Sequence, residues 1–215
     1  VGYTTGNYVF NNITVNISCN ATYRAVLNKD DVVVELDKYN KQKVSEAGLV
    51  VGGATGYGKF SYIYVKGNNV SIGECAGLVF GYIDKNIVAN NLTVTSSIDQ
   101  YVKADIYGGV IAGASNGKIA NANIIDGIGR DSFFAPTVYT PIAIGNIVGF
   151  MIGGEISAVN VLTNTRVKPE ISYVGGAVGI MQGGKLDTIS ITGEIKAGAG
   201  GFVGFAGKVD ANGYN

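Results

Sequence analysis

The stretch that decides the fold is GGAVGIMQGGKLDTISITG (175–193), because its pattern recurs in six copies along the chain. Gly175 and Gly179 enclose three mostly apolar residues, a Gly-Lys-Leu triplet follows (184–186), and the copy ends in alternating apolar and polar residues. The other glycine pairs are Gly48/Gly52, Gly77/Gly81, Gly109/Gly113, Gly145/Gly149 and Gly200/Gly204. Successive copies are 29, 32, 36, 30 and 25 residues apart. Self-similarity at such a period is typical of a repeat architecture.

A second signal follows each glycine pair: GKF (58–60), KNI (85–87), GKI (117–119), GEI (154–156), GKL (184–186) and GKV (207–209). Most copies then alternate with a period of two, as in Ile63/Val65, Val159/Val161 and Ile189/Ile191, which predicts a half-buried strand. The apolar residues between the paired glycines predict a second, more buried strand. The glycines suit sharp corners or close backbone approach. Each repeat is therefore expected to hold two or three short strands.

A repeat of this size cannot bury its apolar face alone, so stacking on a neighbour must close the core. We therefore predict an all-β fold: a β-solenoid of about six Gly-rich coils over residues 46–215, with the last repeat incomplete. Residues 1–45 are expected to form an N-terminal strand and cap. A β-sandwich or barrel would also explain the strands, but not the ordered recurrence of both signals. The predicted core residues are Leu78, Val79, Val110, Ile111, Ile119, Ile147, Val148, Ile156, Val159, Val161, Val178, Leu186, Ile189, Ile191, Phe202 and Val203.

Two copies carry a family resemblance. GLVFGYIDKNIVANNLTVTS (77–96) and GAVGIMQGGKLDTISITGEI (176–195) resemble the GLUG repeat, and the likeness extends over residues 46–211. That repeat occurs in tandem in large bacterial surface and secreted proteins, adhesin-like proteins among them. The resemblance implies an extracellular or cell-surface location and supplies no catalytic residues. The 36-residue interval between the third and fourth copies departs from the family pattern.

Composition limits the chemistry. Sixteen basic and sixteen acidic residues give a formal net charge of zero, so nothing favours electrostatic capture of nucleic acid. No apolar run approaches the roughly 18–20 residues that a membrane-spanning helix needs. The chain has no histidine, which excludes Ser-His-Asp and Cys-His catalysis and histidine metal sites. No cofactor or metal is expected. Tryptophan is also absent, and the 13 tyrosines can replace it only in part as sugar-stacking platforms.

The two cysteines, Cys19 and Cys75, are too few for a zinc site. In a secreted protein they could form one disulfide bond. The alternative is two small, buried apolar residues.

The segment NITVNISCNAT (12–22) predicts one strand, with Ile13, Val15, Ile17, Cys19 and Ala21 on its inner face. Its outer face holds three Asn-x-Ser/Thr acceptors for N-glycosylation, and two more occur elsewhere in the chain. The alternative is a polar sheet face without glycans. The glycosylation candidates are Asn12, Asn16, Asn20, Asn69 and Asn91.

Two segments depart from the repeat. Residues 23–45 contain an acidic cluster (Asp30, Asp31, Glu35 and Asp37) that favours a solvated turn over a calcium site, because the EF-hand pattern is absent. This insertion is expected to cap or flank the first coil. Residues 126–144 lengthen another repeat and contain Phe133, Phe134 and Tyr139. They predict either a projecting recognition loop or a loop folded over the solenoid flank.

The two ends of the sequence are complementary. GNYVFNNITV (6–15) aligns without a gap with KNIVANNLTV (85–94), the second half of a repeat, whereas residues 200–215 resemble a first half. Either the chain belongs to a longer solenoid, or subunits join head to tail, and a contact that does not close generates a filament. The residues expected at such a subunit junction are Ile13, Val15, Ile17, Phe202 and Val203.

The leading functional hypothesis is therefore an extracellular structural or adhesive module without enzymatic activity, partnered by itself or by the rest of a longer repeat chain. An alternative is a non-catalytic glycan- or surface-binding module, which a groove of exposed tyrosines beside polar side chains would favour. A β-helix polysaccharide hydrolase or lyase is the least favoured alternative. It needs paired carboxylates across a groove, for which Asp126 with Asp131 and Glu74 with Asp105 are candidates.

Overall fold

The computed structural model describes residues 1–16, 19–22, 46–66, 69–95, 101–125, 143–166, 173–196, 203–206, 209–210 and 213–214. All regular structure in these ranges is β. The strands are β1 (Tyr3–Thr4), β2 (Asn7–Asn16), β3 (Cys19–Thr22), β4 (Glu46–Gly48), β5 (Val51–Ala54), β6 (Tyr57–Lys66), β7 (Asn69–Gly77), β8 (Phe80–Ile83), β9 (Ile87–Thr95), β10 (Tyr101–Gly109) and β11 (Ala112–Ser115). They continue with β12 (Lys118–Ile125), β13 (Ala143–Gly145), β14 (Val148–Met151), β15 (Glu155–Arg166), β16 (Tyr173–Gly175), β17 (Val178–Met181), β18 (Lys185–Lys196), β19 (Val203–Ala206), β20 (Val209–Asp210) and β21 (Gly213–Tyr214).

The strands form three parallel sheets that the chain visits in turn, so each circuit is one coil of a β-solenoid. Sheet A has the order β1-β5-β8-β11-β14-β17-β19, and sheet B has the order β2-β6-β9-β12-β15-β18. Sheet C has the order β3-β7-β10-β13-β16, with β4 also paired to β7. An antiparallel pair, β20 with β21, follows. The predicted all-β solenoid is confirmed.

Each of the five glycine pairs that lie wholly within the described residues marks the corner at which the chain passes from sheet C to sheet A. The first glycine ends a sheet C strand, as Gly77 ends β7, and the second lies inside the sheet A strand, as Gly81 lies in β8. A Cβ on Gly81 would lie 2.5 Å from the Ala47 nitrogen and from the Gly52 carbonyl oxygen. Because both atoms belong to the backbone, no side-chain movement can relieve the collision. The predicted role of glycine in close backbone approach is confirmed.

The residues between the paired glycines correct one expectation. They were predicted to form a buried strand, but Leu78 and Val79 form the bend itself, and β8 begins only at Phe80. All three side chains are fully buried. These residues are therefore apolar because the corner packs their side chains into the core.

The core contains three inward columns along sheet B, one residue from each coil, and parallel pairing stacks them in register. The predicted core residues from Leu78 to Val178 are buried, which confirms the inward assignment. Leu186, Ile189, Ile191 and Val203 are only half-buried, since β18 and β19 lie at the edges of their sheets in the described part of the chain. Phe202 lies outside the described residues. The columns are Phe10-Phe60-Ala89-Ile119-Ile156-Leu186, Ile13-Ile63-Leu92-Ala122-Val159-Ile189 and Val15-Val65-Val94-Ile124-Val161-Ile191.

Register also corrects the second sequence signal in one copy. Val88 lies opposite Lys59 on one neighbouring strand and opposite Lys118 on the other. The residue in register with Gly58 is therefore Ile87 and not Lys85. The KNI triplet (85–87) therefore lies two residues too early to match GKF. The gapless alignment of residues 6–15 with 85–94 is confirmed, because both segments pair in that register with β6.

The N-terminal segment forms two strands where one was predicted. Ile13 and Val15 point inward and Asn12, Thr14 and Asn16 are exposed, as expected. However, β2 ends at Asn16 in sheet B and β3 begins at Cys19 in sheet C, so the two strands belong to different sheets. The uniform alternation across residues 12–22 gives no sign of this change of sheet.

The insertion at residues 23–45 interrupts a single strand position of the first coil. Thr22, the last residue of β3, lies opposite Ile72, and Glu46, the first residue of β4, lies opposite Cys75. The chain therefore leaves and rejoins the edge of sheet C within the short span between Ile72 and Cys75. The expected capping role of the insertion concerns residues outside those described.

Candidate functional site

Every strand of sheet B contains one non-glycine residue in the left-handed backbone conformation, at the same position in the stack. The φ angles lie between 51° and 56°. Asparagine tolerates this conformation better than other side-chain-bearing residues do, whereas bulky or β-branched residues rarely adopt it. Asparagine occupies half of the six positions. The left-handed column consists of Asn12, Tyr62, Asn91, Asn121, Ala158 and Thr188.

The left-handed residue bends each strand and resets its alternation. Phe60 and Ile63 are both buried although they are three residues apart, because Tyr62 sits between them as an extra, unpaired position in the ladder. Six such bends in register produce a crease along the outer face of sheet B. This crease is the feature that positions the candidate site.

A groove of about 530 Å³ follows the crease across β6, β9, β12 and β15. Its walls come mainly from the left-handed column and from the outward column two residues further along each strand. Ile63 and Leu92, whose side chains point inward and are buried, also line the groove. The lining residues are Tyr62, Ile63, Tyr64, Asn91, Leu92, Thr93, Asn121, Asn123, Ala158 and Asn160.

Asparagine amides connect the coils along this face. The Asn121 amide Nδ2 donates to Oδ1 of Asn90 at 2.8 Å, and the Asn160 Nδ2 donates to Oδ1 of Asn123 at 3.3 Å. Each amide has two N–H donors and two acceptor lone pairs, so one such bond does not exhaust it. The groove therefore presents donors and acceptors at regular axial intervals.

The groove is free of formal charge. None of its ten lining residues is acidic or basic. A charged ladder runs along the start of these strands, where the Lys118 Nζ lies 3.0 Å from Glu155 Oε2 and the Lys185 Nζ lies 2.8 Å from Asp187 Oδ2. Hydrogen bonding from Lys118 lowers the pKa of Glu155, and hydrogen bonding from Lys185 lowers the pKa of Asp187.

Tyr62 is the most unusual residue of the groove. Tyr62 is 59% exposed, so it buries little surface. Its backbone has a φ of 56°, a conformation that strains a residue with a large side chain. A side-chain-bearing residue held in such a region costs about 1–3 kcal/mol. Asn12 and Asn91 on the neighbouring strands show which residue type suits the backbone. The tyrosine is therefore not explained by local stability.

The glycosylation candidates divide into three settings. Asn12 and Asn16 are exposed on the outer face of β2, whereas Asn91 is half-buried in the groove wall. The backbones of Asn20 and Asn69 lie in β3 and β7 of sheet C, and their side chains fall outside the description. The sequons at Asn12 and Asn91 share a structural origin: a left-handed asparagine, an inward aliphatic residue and an outward threonine. Glycosylation of these residues stays a prediction.

The predicted disulfide bond is wrong. Cys19 lies opposite Asn69 at the start of β7, whereas Cys75 is six residues further along that strand. At about 3.3 Å per residue the two cysteines are about 20 Å apart along the sheet. Disulfide-bonded residues have Cα atoms within about 7 Å. Cys75 instead fits the alternative, because its side chain is buried.

The remaining predicted positions are only partly covered. The recognition-loop residues Phe133, Phe134 and Tyr139, the acidic cluster of residues 30–37, and junction residues Ile17 and Phe202 lie outside the described ranges. Ile13, Val15 and Val203 are half-buried at sheet edges. Glu74 and Asp105 lie on neighbouring strands β7 and β10 beside a register shift.

Within the described residues, no group of three or more potential metal-ligating side chains occurs. The same residues include no helix long and apolar enough to span a membrane. Comparisons with protein-family models, curated proteins and solved structures give no match for this chain.

Sequence reasoning missed the left-handed column and hence the groove. The signal was present as Asn-Asn pairs at 11–12 and 90–91, followed each time by an aliphatic residue. It was interpreted as a glycosylation motif because the same residues form Asn-x-Thr.

Proposed function

We propose that the chain is an extracellular, non-catalytic β-solenoid module with a structural or adhesive role, and that its stack continues beyond the coils described here. The GLUG-like repeat supports the cell-surface setting. The observation that carries the proposal is that, within the described part of the chain, both edges of sheet B have strands with half-buried apolar columns. A second copy of this chain, or further coils of a longer one, would cover them.

The two edges match each other column by column. On β2 the inward residues are Phe10, Ile13 and Val15, and on β18 they are Leu186, Ile189 and Ile191. Placed side by side in register, the edges would extend each apolar column by one coil. Full burial of such a side chain contributes about 1.5–3 kcal/mol. Exposed parallel edges are also templates for backbone pairing.

One element must move before two copies can stack in this way. The β1 residues Tyr3 and Thr4 occupy the columns of Gly53 and Ala54 in sheet A, and at the far end of that sheet Phe205 and Ala206 of β19 occupy the same columns. In a head-to-tail joint, β19 and the incoming β1 would compete for one position. We therefore propose that β1 is displaced when β2 pairs with β18 of another copy.

The test is assembly of the purified chain, followed by light scattering and electron microscopy. Removing residues 1–6 should speed assembly, because β1 no longer has to be displaced. Ile13→Lys should block assembly by placing a charge in an apolar column, whereas the matched control Thr14→Lys, on the outer face, should leave it intact. A chain that stays monomeric at high concentration with and without residues 1–6 would contradict self-stacking. Covering coils would then have to come from a longer chain.

The uncharged groove favours a second candidate function, the binding of a glycan without catalysis. It does not require stacking, because the groove lies on the side of the solenoid and not at an edge. A module could therefore have both functions.

A further inference from the structure

We infer that the groove along the crease of sheet B is a binding site for a neutral, extended polysaccharide chain, with Tyr62 as its stacking platform. This inference rests on the second candidate function and assigns that function a location and a ligand class. Three independent features of the groove support it: its charge, its axial repeat and the conformation of Tyr62.

The absence of charge selects the ligand class. The left-handed column and the outward column beside it contain only uncharged residues along all six coils. Neutral sugar hydroxyl groups match side-chain amides and hydroxyls, because both kinds of group can donate and accept hydrogen bonds. An anionic chain would find no charged partner among the residues of these two columns. The outward column consists of Thr14, Tyr64, Thr93, Asn123, Asn160 and Ser190.

The axial repeat selects an extended chain. Adjacent strands are about 4.8 Å apart, so the four coils of the groove present equivalent polar positions over about 14 Å. The length of one sugar residue along an extended β-linked chain is similar to the spacing between adjacent coils. Successive sugars could therefore meet equivalent side chains, such as Thr93 and Asn123, along the solenoid axis.

The conformation of Tyr62 indicates a role for its ring. Strained residues cluster at ligand sites, and Tyr62 combines the strain that it shares with Thr188 with a large aromatic ring inside the groove. Tyr62 lines the groove with Tyr64 on the same strand, and its ring is largely exposed. The flat faces of sugar rings pack on exposed aromatic rings. Tyr62 and Tyr64, at one end of the groove, would stack on sugar rings. The amides of Asn121 and Asn160, towards the other end, would form hydrogen bonds to the sugar hydroxyls.

The variant Tyr62→Asn separates binding from folding. Asparagine suits the left-handed backbone, so this variant should be at least as stable as the wild type while lacking the platform. Thr188→Asn makes the same kind of change in the same column outside the groove and is the matched control. Asn123→Ala removes one amide from the groove and is a second variant that should weaken binding.

The experiment measures binding of neutral hexasaccharides (β-1,4-linked glucose, N-acetylglucosamine, mannose and xylose) by calorimetry and by tyrosine fluorescence, with hyaluronan fragments as the anionic control. We expect at least one neutral chain to bind and hyaluronan not to bind. Tyr62→Asn should weaken binding about tenfold, equivalent to about 1.4 kcal/mol, Asn123→Ala should weaken it less, and Thr188→Asn should leave it unchanged.

Each other outcome overturns a defined part of the account. Neutral binding that Tyr62→Asn leaves intact would retain glycan binding but remove it from this groove. Binding of hyaluronan alone would refute the neutral ligand class. No binding to any probe would refute both the inference and the second candidate function. A change in self-association upon Tyr62→Asn would reassign the groove to contacts between copies.

Discussion

Thr188 and Asn121 share one backbone conformation, with φ angles of 52° and 51°, at the same position of the stack two coils apart. Asparagine adopts this left-handed conformation readily, but a β-branched threonine does not. Thr188→Asn should therefore raise the free energy of unfolding by about 1 kcal/mol. The reverse change, Asn121→Thr, should lower it by a similar amount. Urea denaturation of both variants checks this, and equal stabilities would show that the column imposes no strain.

The second prediction concerns the glycine corners. Gly81→Ala would place a Cβ against the backbone of Ala47 and Gly52, so we expect a loss of about 3 kcal/mol or more in unfolding free energy. Gly2→Ala is the control, since a Cβ there meets no atom within 4 Å, and its effect should stay within about 0.5 kcal/mol. Similar thermal midpoints for the two variants would refute the close-approach explanation.

The glycine pairs show how far sequence reasoning extends. Their spacing, with the β-branched alternation, predicted the solenoid and most of its buried residues, because close backbone approach and apolar burial leave direct marks on residue type. Corners leave weaker marks. The alternation of residues 12–22 runs without a break across the change of sheet between Asn16 and Cys19, so it predicts one strand where the structure has two.

The groove could not be predicted from the sequence, because it too depends on how the coils are stacked. It exists because six left-handed residues align across coils, and alignment depends on register. The KNI triplet shows the difficulty. Its match to GKF is plausible in the sequence, but in the sheet Gly58 lies opposite Ile87, two residues after Lys85. Once register is known, Tyr62 and Asn91 become neighbours in one column.

A third prediction follows from Ser115, whose hydroxyl is fully buried and has no hydrogen-bond partner among the described residues. Its column neighbours in sheet A are Ile83 and Met151. Ser115→Ala should raise the unfolding free energy by about 1 kcal/mol, because it removes an unsatisfied polar group at little cost in volume. Ser190→Ala, on the exposed face, should have almost no effect. Destabilisation by Ser115→Ala would reveal a partner for the hydroxyl in solution.

The fourth prediction concerns pH. Hydrogen bonding from Lys118 lowers the pKa of Glu155 in the folded state, so the pair stabilises the fold above the ordinary glutamate pKa. That contribution is lost as the pH falls through the lowered pKa. Glu155→Gln should therefore be less stable than wild type at neutral pH and low salt, with the difference vanishing in acid. A difference that persists in acid would assign the effect to packing.

The central claim is that β2 of one copy stacks in register on β18 of the next, and disulfide trapping tests it most directly. Thr14 and Ser190 belong to one outward column, so they would lie side by side across such a joint. In a Cys19→Ser background, the double variant Thr14→Cys/Ser190→Cys should oxidise to covalent ladders of the chain. Thr14→Cys/Asp187→Cys, in different columns, should not. Equal cross-linking of both pairs, or none of either, would contradict in-register stacking.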